Sequence, residues 1–182
     1  MTEAEVEFPG YTAGMWSIDP ANSEAGFSVR HLGVARVHGR FNAIDGTINV
    51  GPTVEQSSVT ARIETDSIDT GFPARDGYIR GEDVLATGEH KQIVFQSTAV
   101  RRGPDGLLID GELTIRSVTR PVTLTAQVGG FGVDPVRNVK VLGVSARVTI
   151  DRADFAISPH VPAAVVGEKI EIHLDIQASL GS

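Results

Sequence analysis

The chain has 182 residues, 41% of them hydrophobic but only 5% aromatic, and a formal net charge of −7. This length suits one domain with a sizeable core, and the acidic balance argues against a nucleic-acid partner, because counterion-driven binding needs clustered Lys and Arg. Cysteine is absent, which removes disulfide frameworks and thiol chemistry, and no segment approaches the roughly 18 consecutive apolar residues of a membrane span.

Residues 1–14 read as a flexible, weakly ordered lead. The run Thr2-Glu3-Ala4-Glu5-Val6-Glu7 is acidic, whereas a secretory signal opens with basic residues and an apolar stretch of about 7–15 residues. The expectation is a cytoplasmic protein with no transmembrane segment, whose single β-barrel domain spans 15–182. From Met15 onward apolar residues recur at every second position. They run Phe27, Val29; Gly39, Phe41; Ile48, Val50; Val59, Ala61, Ile63; Leu113, Ile115; Val122, Leu124, Ala126, Val128; Val144, Ala146, Val148, Ile150; and from Ile170 in steps of two to Ala178. The residues between them are largely polar, as in Thr60, Arg62 and Glu64. A period of two with one dry face is the pattern of half-buried antiparallel strands. Turn chemistry punctuates them at Asp19-Pro20-Ala21-Asn22, Asp45-Gly46, Gly51-Pro52, Pro104-Asp105-Gly106, Gly129-Gly130 and Asp134-Pro135. Short strands at regular spacing point to an all-β fold, an eight-stranded antiparallel barrel.

One segment breaks the alternation. From Asp69 to Lys91 charges mix with the single apolar residues Phe72, Tyr78, Ile79, Val84 and Leu85. This stretch reads as a short helical lid across one barrel end, where ligand entry would be controlled.

The same stretches resemble the YceI-like family of polyisoprenoid-binding, lipocalin-like barrels. The resemblance rests on Trp16-Ser17-Ile18-Asp19 with Ser23, Phe27, Val29, His31, Val37, Gly39 and Phe41 near the start. It continues through Arg75-Asp76, Ile79-Arg80 and Asp83 in the lid, then Ile93, Phe95 and Ser97. Gly111-Glu112-Leu113-Thr114-Ile115 follows, with Val118-Thr119-Arg120-Pro121-Val122, and Ile150-Asp151-Arg152-Ala153-Asp154-Phe155 completes the series. Departures gather in the lid and turns: Asn22 and Tyr78 where the family carries histidines, Gly81 for a serine, and Val84-Leu85 for an aromatic pair. The resemblance implies a barrel that binds a polyisoprenoid lipid and requires no cofactor.

Slim inward residues leave two outcomes open from the residues alone: a tunnel for an aliphatic chain, or a filled core of alternating large and small side chains. The resemblance favours the tunnel. Its expected lining is Phe27, Val29, His31, Phe41, Ile48, Val59, Ala61, Ile63, Ile79, Leu85, Phe95, Leu113, Ile115, Leu124, Ala126, Val144, Ala146, Val148 and Phe155. Arg75 and Arg80 are head-group candidates, the alternative being ion pairs with Asp76 and Asp83 that fix the lid. Arg152 with Asp154 reads as a structural ion pair. His31 is either a satisfied, half-buried side chain or a polar contact to a ligand.

No histidine has the spacing of a metal site, and no Gly-x-Ser-x-Gly elbow or phosphate-cradling loop is present. The leading expectation is therefore a non-enzymatic carrier or store for an isoprenoid lipid. The competing one is an enzyme acting on such a substrate, for which His31 and a lid carboxylate are the sole candidates. A filled barrel pairing as a homodimer through an outer face is a third.

Overall fold

The structure is a computed structural model and describes residues 1–181. Its strands, in chain order, are β1 (Gly14–Ile18), β2 (Glu24–His31), β3 (Ala35–Phe41), β4 (Ile44–Val50), β5 (Ser58–Glu64), β6 (Ile68–Asp69), β7 (Gln92–Gly103), β8 (Gly106–Ile115), β9 (Val118–Asp134), β10 (Val139–Asp151) and β11 (Val166–Leu180). Two short helices accompany them, α1 (Glu3–Glu7) and α2 (Pro73–Ile79). Strands β1, β4, β5, β7, β8, β9, β10 and β11 form an antiparallel ring that closes where Trp16, Ser17 and Ile18 pair with Leu180, Ser179 and Ala178. The expected eight-stranded barrel is present.

The remaining strands extend one wall. The first part of β11, from Val166 to Asp175, pairs with β2, which continues to β3 and β6. Only the last residues of β11 reach β1. One long strand therefore serves two neighbours, and the barrel has a closed end at β1 and a taller wall at the other.

Two anticipated turns lie inside strands. Asp45-Gly46 belongs to β4, with Gly46 opposite Ala61 of β5. Gly46 has φ of 152°, and a Cβ there would overlap the Thr60 carbonyl, so the glycine serves close strand approach rather than chain reversal. Gly129-Gly130 falls within β9 beside a bulge opposite Gly143 and Val144, where an irregular register bends the long strand.

The segment expected to be a weakly ordered lead instead carries a capped helix packed on the barrel. Thr2 and Glu5 form a reciprocal capping box on α1, and Ala4 is buried in the main core cluster. The Glu7 carboxylate meets Arg102 at 2.7 Å, and the Tyr11 hydroxyl donates to the Gly51 carbonyl at 2.7 Å. Beneath this lead, Trp16 is fully buried. It stands edge-on to Phe131 with centroids 5.6 Å apart, and its indole N–H donates to the Thr12 carbonyl at 3.1 Å. With Leu142, Val50 and Ala178 it makes the second core cluster and plugs that end.

The lid lies at the opposite end, as expected. α2 starts at Pro73, whose fixed φ suits a first helical position. The chain then turns through residues 81–89, where Val84, Leu85, Ala86 and Thr87 are buried. Val84 and Leu85 thus pack from turns beyond the helix.

Candidate functional site

A cavity of about 540 Å³ runs inside the barrel, from Ile18, Ile48 and Ile176 near the plugged base to the lid. Many inward residues of β5, β10 and β11, including Val59, Ala61, Ile63, Val144, Val148, Ile170 and Ile172, are only half-buried although their side chains point inward. They face an open hollow. Among the lining residues, the exposed ones are Arg30, His31, Phe72 and Tyr78, which places the mouth between the β2–β3 hairpin and α2.

Most of the anticipated lining is there: Phe27, Val29, His31, Phe41, Ile48, Val59, Ala61, Ile63, Ile79, Leu85, Phe95, Leu113, Ile115, Leu124, Val144, Ala146 and Val148. Two residues are not part of it. Ala126 and Phe155 are each 1% exposed and packed within the main core cluster, sealed by neighbouring side chains. The lining is also less slim than the alternation suggested, since isoleucines, valines and four phenylalanines dominate it.

Glycines explain how such bulk leaves a hollow. The Phe27 ring lies across Gly39, its cross-strand partner, so closely that a Cβ at Gly39 would overlap it. The Phe95 ring covers Gly111 of β8 in the same way. Laid along the wall, these rings thicken it without crossing the shaft.

Polar groups gather at the mouth. Arg75 lines the cavity, donates to the Thr70 hydroxyl and carbonyl at 2.8 and 2.9 Å, and stands 5.7 Å over the Phe72 ring. Arg80 does not reach the cavity. Its guanidinium donates to the carbonyls of Asp66 and Ile68 and pairs with the Asp66 carboxylate at 3.3 Å, pinning the lid to the chain before it. Asp76 is buried and accepts from the Thr70 amide at 2.9 Å and from its hydroxyl. The lid cluster is thus held by Thr70 and backbone carbonyls rather than by Arg–Asp pairs within it.

Arg152 likewise departs from the expected pair with Asp154. It is buried, lines the cavity, and donates to five carbonyls: Gly167, Ile157, Ser158, Val161 and Val166. Five donors in a rigid fork match this cage, which holds the 157–167 loop to the mouth rim. Arg116 adds a second clamp, donating to the Ala156 carbonyl at 2.6 Å and to that of Asp83 at 3.4 Å.

No aspartate or glutamate is among the described residues lining the cavity. The pairing of His31 with a lid carboxylate that turnover would need is therefore not assembled. Among the described residues, no group of three or more His, Cys, Asp or Glu side chains converges on a metal site. No described helix is long and apolar enough to cross a membrane. Among the lining residues that sequence reading missed are Arg30, Phe72, Tyr78 and Arg152. Arg30 alternates outward between Val29 and His31, and only the end of the strand brings it to the rim.

Comparison with known proteins bears on the same features. The model of the YceI-like domain matches residues 16–178. Protein YceI of Escherichia coli is 34% identical over 170 residues, covering 91% of this chain and 86% of that protein. A UPF0312 protein of Pseudomonas paraeruginosa is 33% identical over 154 residues, 83% of this chain and 78% of its own. Among solved structures, Burkholderia cenocepacia BcnA superposes with a TM-score of 0.77 at 20% identity, over 88% of this chain and 98% of its own. A polyisoprenoid binding domain from Saccharophagus degradans superposes with a TM-score of 0.71 at 14% identity, over 93% of this chain and all of its own. By its family-model match and these relatives, the chain belongs to the YceI-like domain family.

Proposed function

We propose that this protein is a non-catalytic carrier or store for a polyisoprenoid lipid, with the tail in the barrel and the head group at the mouth. The observation that carries this reading is the 540 Å³ hollow walled by apolar side chains. Its walls leave apolar surface facing a hollow that the protein's own side chains do not fill, and covering such surface with an apolar ligand is favourable by about 25 cal/mol per Å². Each buried CH₂ contributes ~0.8 kcal/mol, so an isoprenoid tail supplies ample drive before ordering costs are met. The description of the Saccharophagus neighbour as polyisoprenoid-binding supports the choice of ligand class.

Arg75 and His31 are the head-group contacts of this reading. A prenyl quinone, a polyprenyl phenol or a polyprenyl phosphate each offers oxygens that their N–H groups can meet. The test is organic extraction of the protein, purified without detergent from a host that makes prenyl lipids, followed by mass spectrometry. The expected result is a prenyl lipid in near-stoichiometric amount. Its repeated absence contradicts the reading.

A further inference from the structure

The mouth of the cavity is bordered by apolar residues that nothing in the fold covers. Leu32 and Val34 at the β2–β3 tip are 56% and 83% exposed, and Phe72 and Tyr78 on the lid are 57% and 55% exposed. These are four large apolar side chains gathered at one end of the barrel, around the opening of its cavity. Isolated exposed apolar residues need no explanation, but a cluster ringing an apolar opening does.

The hairpin tip adds an independent observation. Its turn is closed by the Val34 N–H donating to the His31 carbonyl at 3.2 Å, and both central residues have positive φ, 55° at Leu32 and 68° at Gly33. Turns with two left-handed central residues favour Asn-Gly or Gly-Gly. Leucine has no local hydrogen bond to offset the crowding of its Cβ in that conformation. The chain therefore accepts backbone strain in order to hold a greasy side chain in the open, and strain of this kind collects at functional positions.

Charge singles out the same hairpin. The protein carries −7 overall, yet from Ala25 to Ile44 it has Arg30, Arg36 and Arg40 and no aspartate or glutamate. Arg36 is paired with Glu171 and Arg40 with Asp69. Among the described residues Arg30 and Arg75, both at the mouth, form no ion pair. Two guanidiniums without a carboxylate partner, beside protruding leucine, valine, phenylalanine and tyrosine, suit a surface that is anionic at its face and apolar just beneath. A bilayer is such a surface.

We propose that the β2–β3 tip and α2 dock the open end of the barrel onto an anionic lipid bilayer, so that cargo passes between membrane and cavity without crossing water. The inference rests on the lipid-carrier reading. Leu32 and Val34 enter the headgroup–acyl boundary, and Arg30 and Arg75 meet lipid phosphates.

Vesicle flotation tests this, with phosphatidylcholine vesicles prepared with and without phosphatidylglycerol, at low and high salt. The protein is expected to float with the anionic vesicles at low salt and to be released by high salt. Leu32→Asn restores the residue type this turn favours, so its melting temperature should equal or exceed that of the parent while vesicle affinity falls about tenfold. Arg30→Glu should weaken binding by about tenfold or more. Failure of the parent to float with anionic vesicles, or equal flotation of Leu32→Asn, overturns the proposal. So does a concentration-dependent dimer that Leu32→Asn dissolves, which would make a second copy the occupant of this surface. Uptake of a fluorescent farnesyl probe delivered in detergent separates the two readings. A protein that loads the probe but never floats contradicts docking alone, and one that floats but never loads contradicts the carrier reading alone.

Discussion

The two ends of this barrel are built from the same strands and behave oppositely. At the base, Trp16, Leu142 and Ala178 are almost completely buried, and Tyr11 and Phe131 pack against each other at a tilt beside them. Toward the mouth, Val148 of β10 and Ile170 of β11 point inward and remain half-exposed to the cavity. Alternation is identical in both places. What differs is the cap: aromatic rings inserted from the N-terminal segment at one end, a thin lid at the other. A dry face in the sequence therefore reports which side chains point inward, while whether they meet one another depends on what is inserted between them.

This contrast can be broken at several points. The largest effect is expected at the base, where Trp16→Ala should cost about 3–5 kcal/mol, measured by urea titration, because a fully buried indole leaves a cavity its neighbours cannot fill. A cost below about 1 kcal/mol would mean that the base is not tightly packed. At the mouth, Arg152→Met should cost roughly 3 kcal/mol, since the carbonyls it serves lose a charged donor. If that variant is as stable as the parent, the carbonyl cage does not hold the 157–167 loop.

A smaller cost, about 1–3 kcal/mol, is expected for Gly39→Ala, whose added methyl must push the Phe27 ring off the wall and into the shaft. Prenyl-lipid occupancy should fall with it, and unchanged occupancy would show that the ring can move without entering the cavity. The smallest effect lies on the outer surface. Asp110 accepts from Arg101 at 2.6 and 2.9 Å and from Thr123 at 2.7 Å, which pushes its pKa down from 3.8 to about 2. A carboxylate with a depressed pKa adds stability that is present above its ordinary value and is lost as pH falls through 3.8 toward 2. The melting-temperature difference between the parent and Asp110→Asn should accordingly be constant above about pH 5 and close toward pH 2. A pH-independent difference would contradict the assignment.

The strand pattern was legible because a pleat exposes it directly: Val59, Ala61 and Ile63 line the hollow as their spacing implies. The lid was legible as a break in that pattern. Phe155 was not, because its inward aspect in sequence says nothing of the neighbours that seal it. Nor were the roles of the arginines. Arg80 and Arg152 are satisfied by carbonyls whose positions depend on the folded loops, and nearby aspartates in the sequence suggested the wrong partners. Gly39 was read only as one more inward position and Gly111 only as part of the family-like stretch, although the ring lying over each gives it its function.

On the proposed reading the shaft is hollow so that a lipid can fill it. The most direct test of that reading is a titration of detergent-stripped protein with a fluorescent farnesyl probe, comparing the parent with Ala61→Phe and Ala146→Phe. Both alanines line the cavity, and filling it should leave stability within about 1 kcal/mol of the parent or raise it. Saturable binding by the parent and its loss in both folded variants is the expected result. Equal binding by all three would contradict the account, because the probe would then be held somewhere other than inside the barrel.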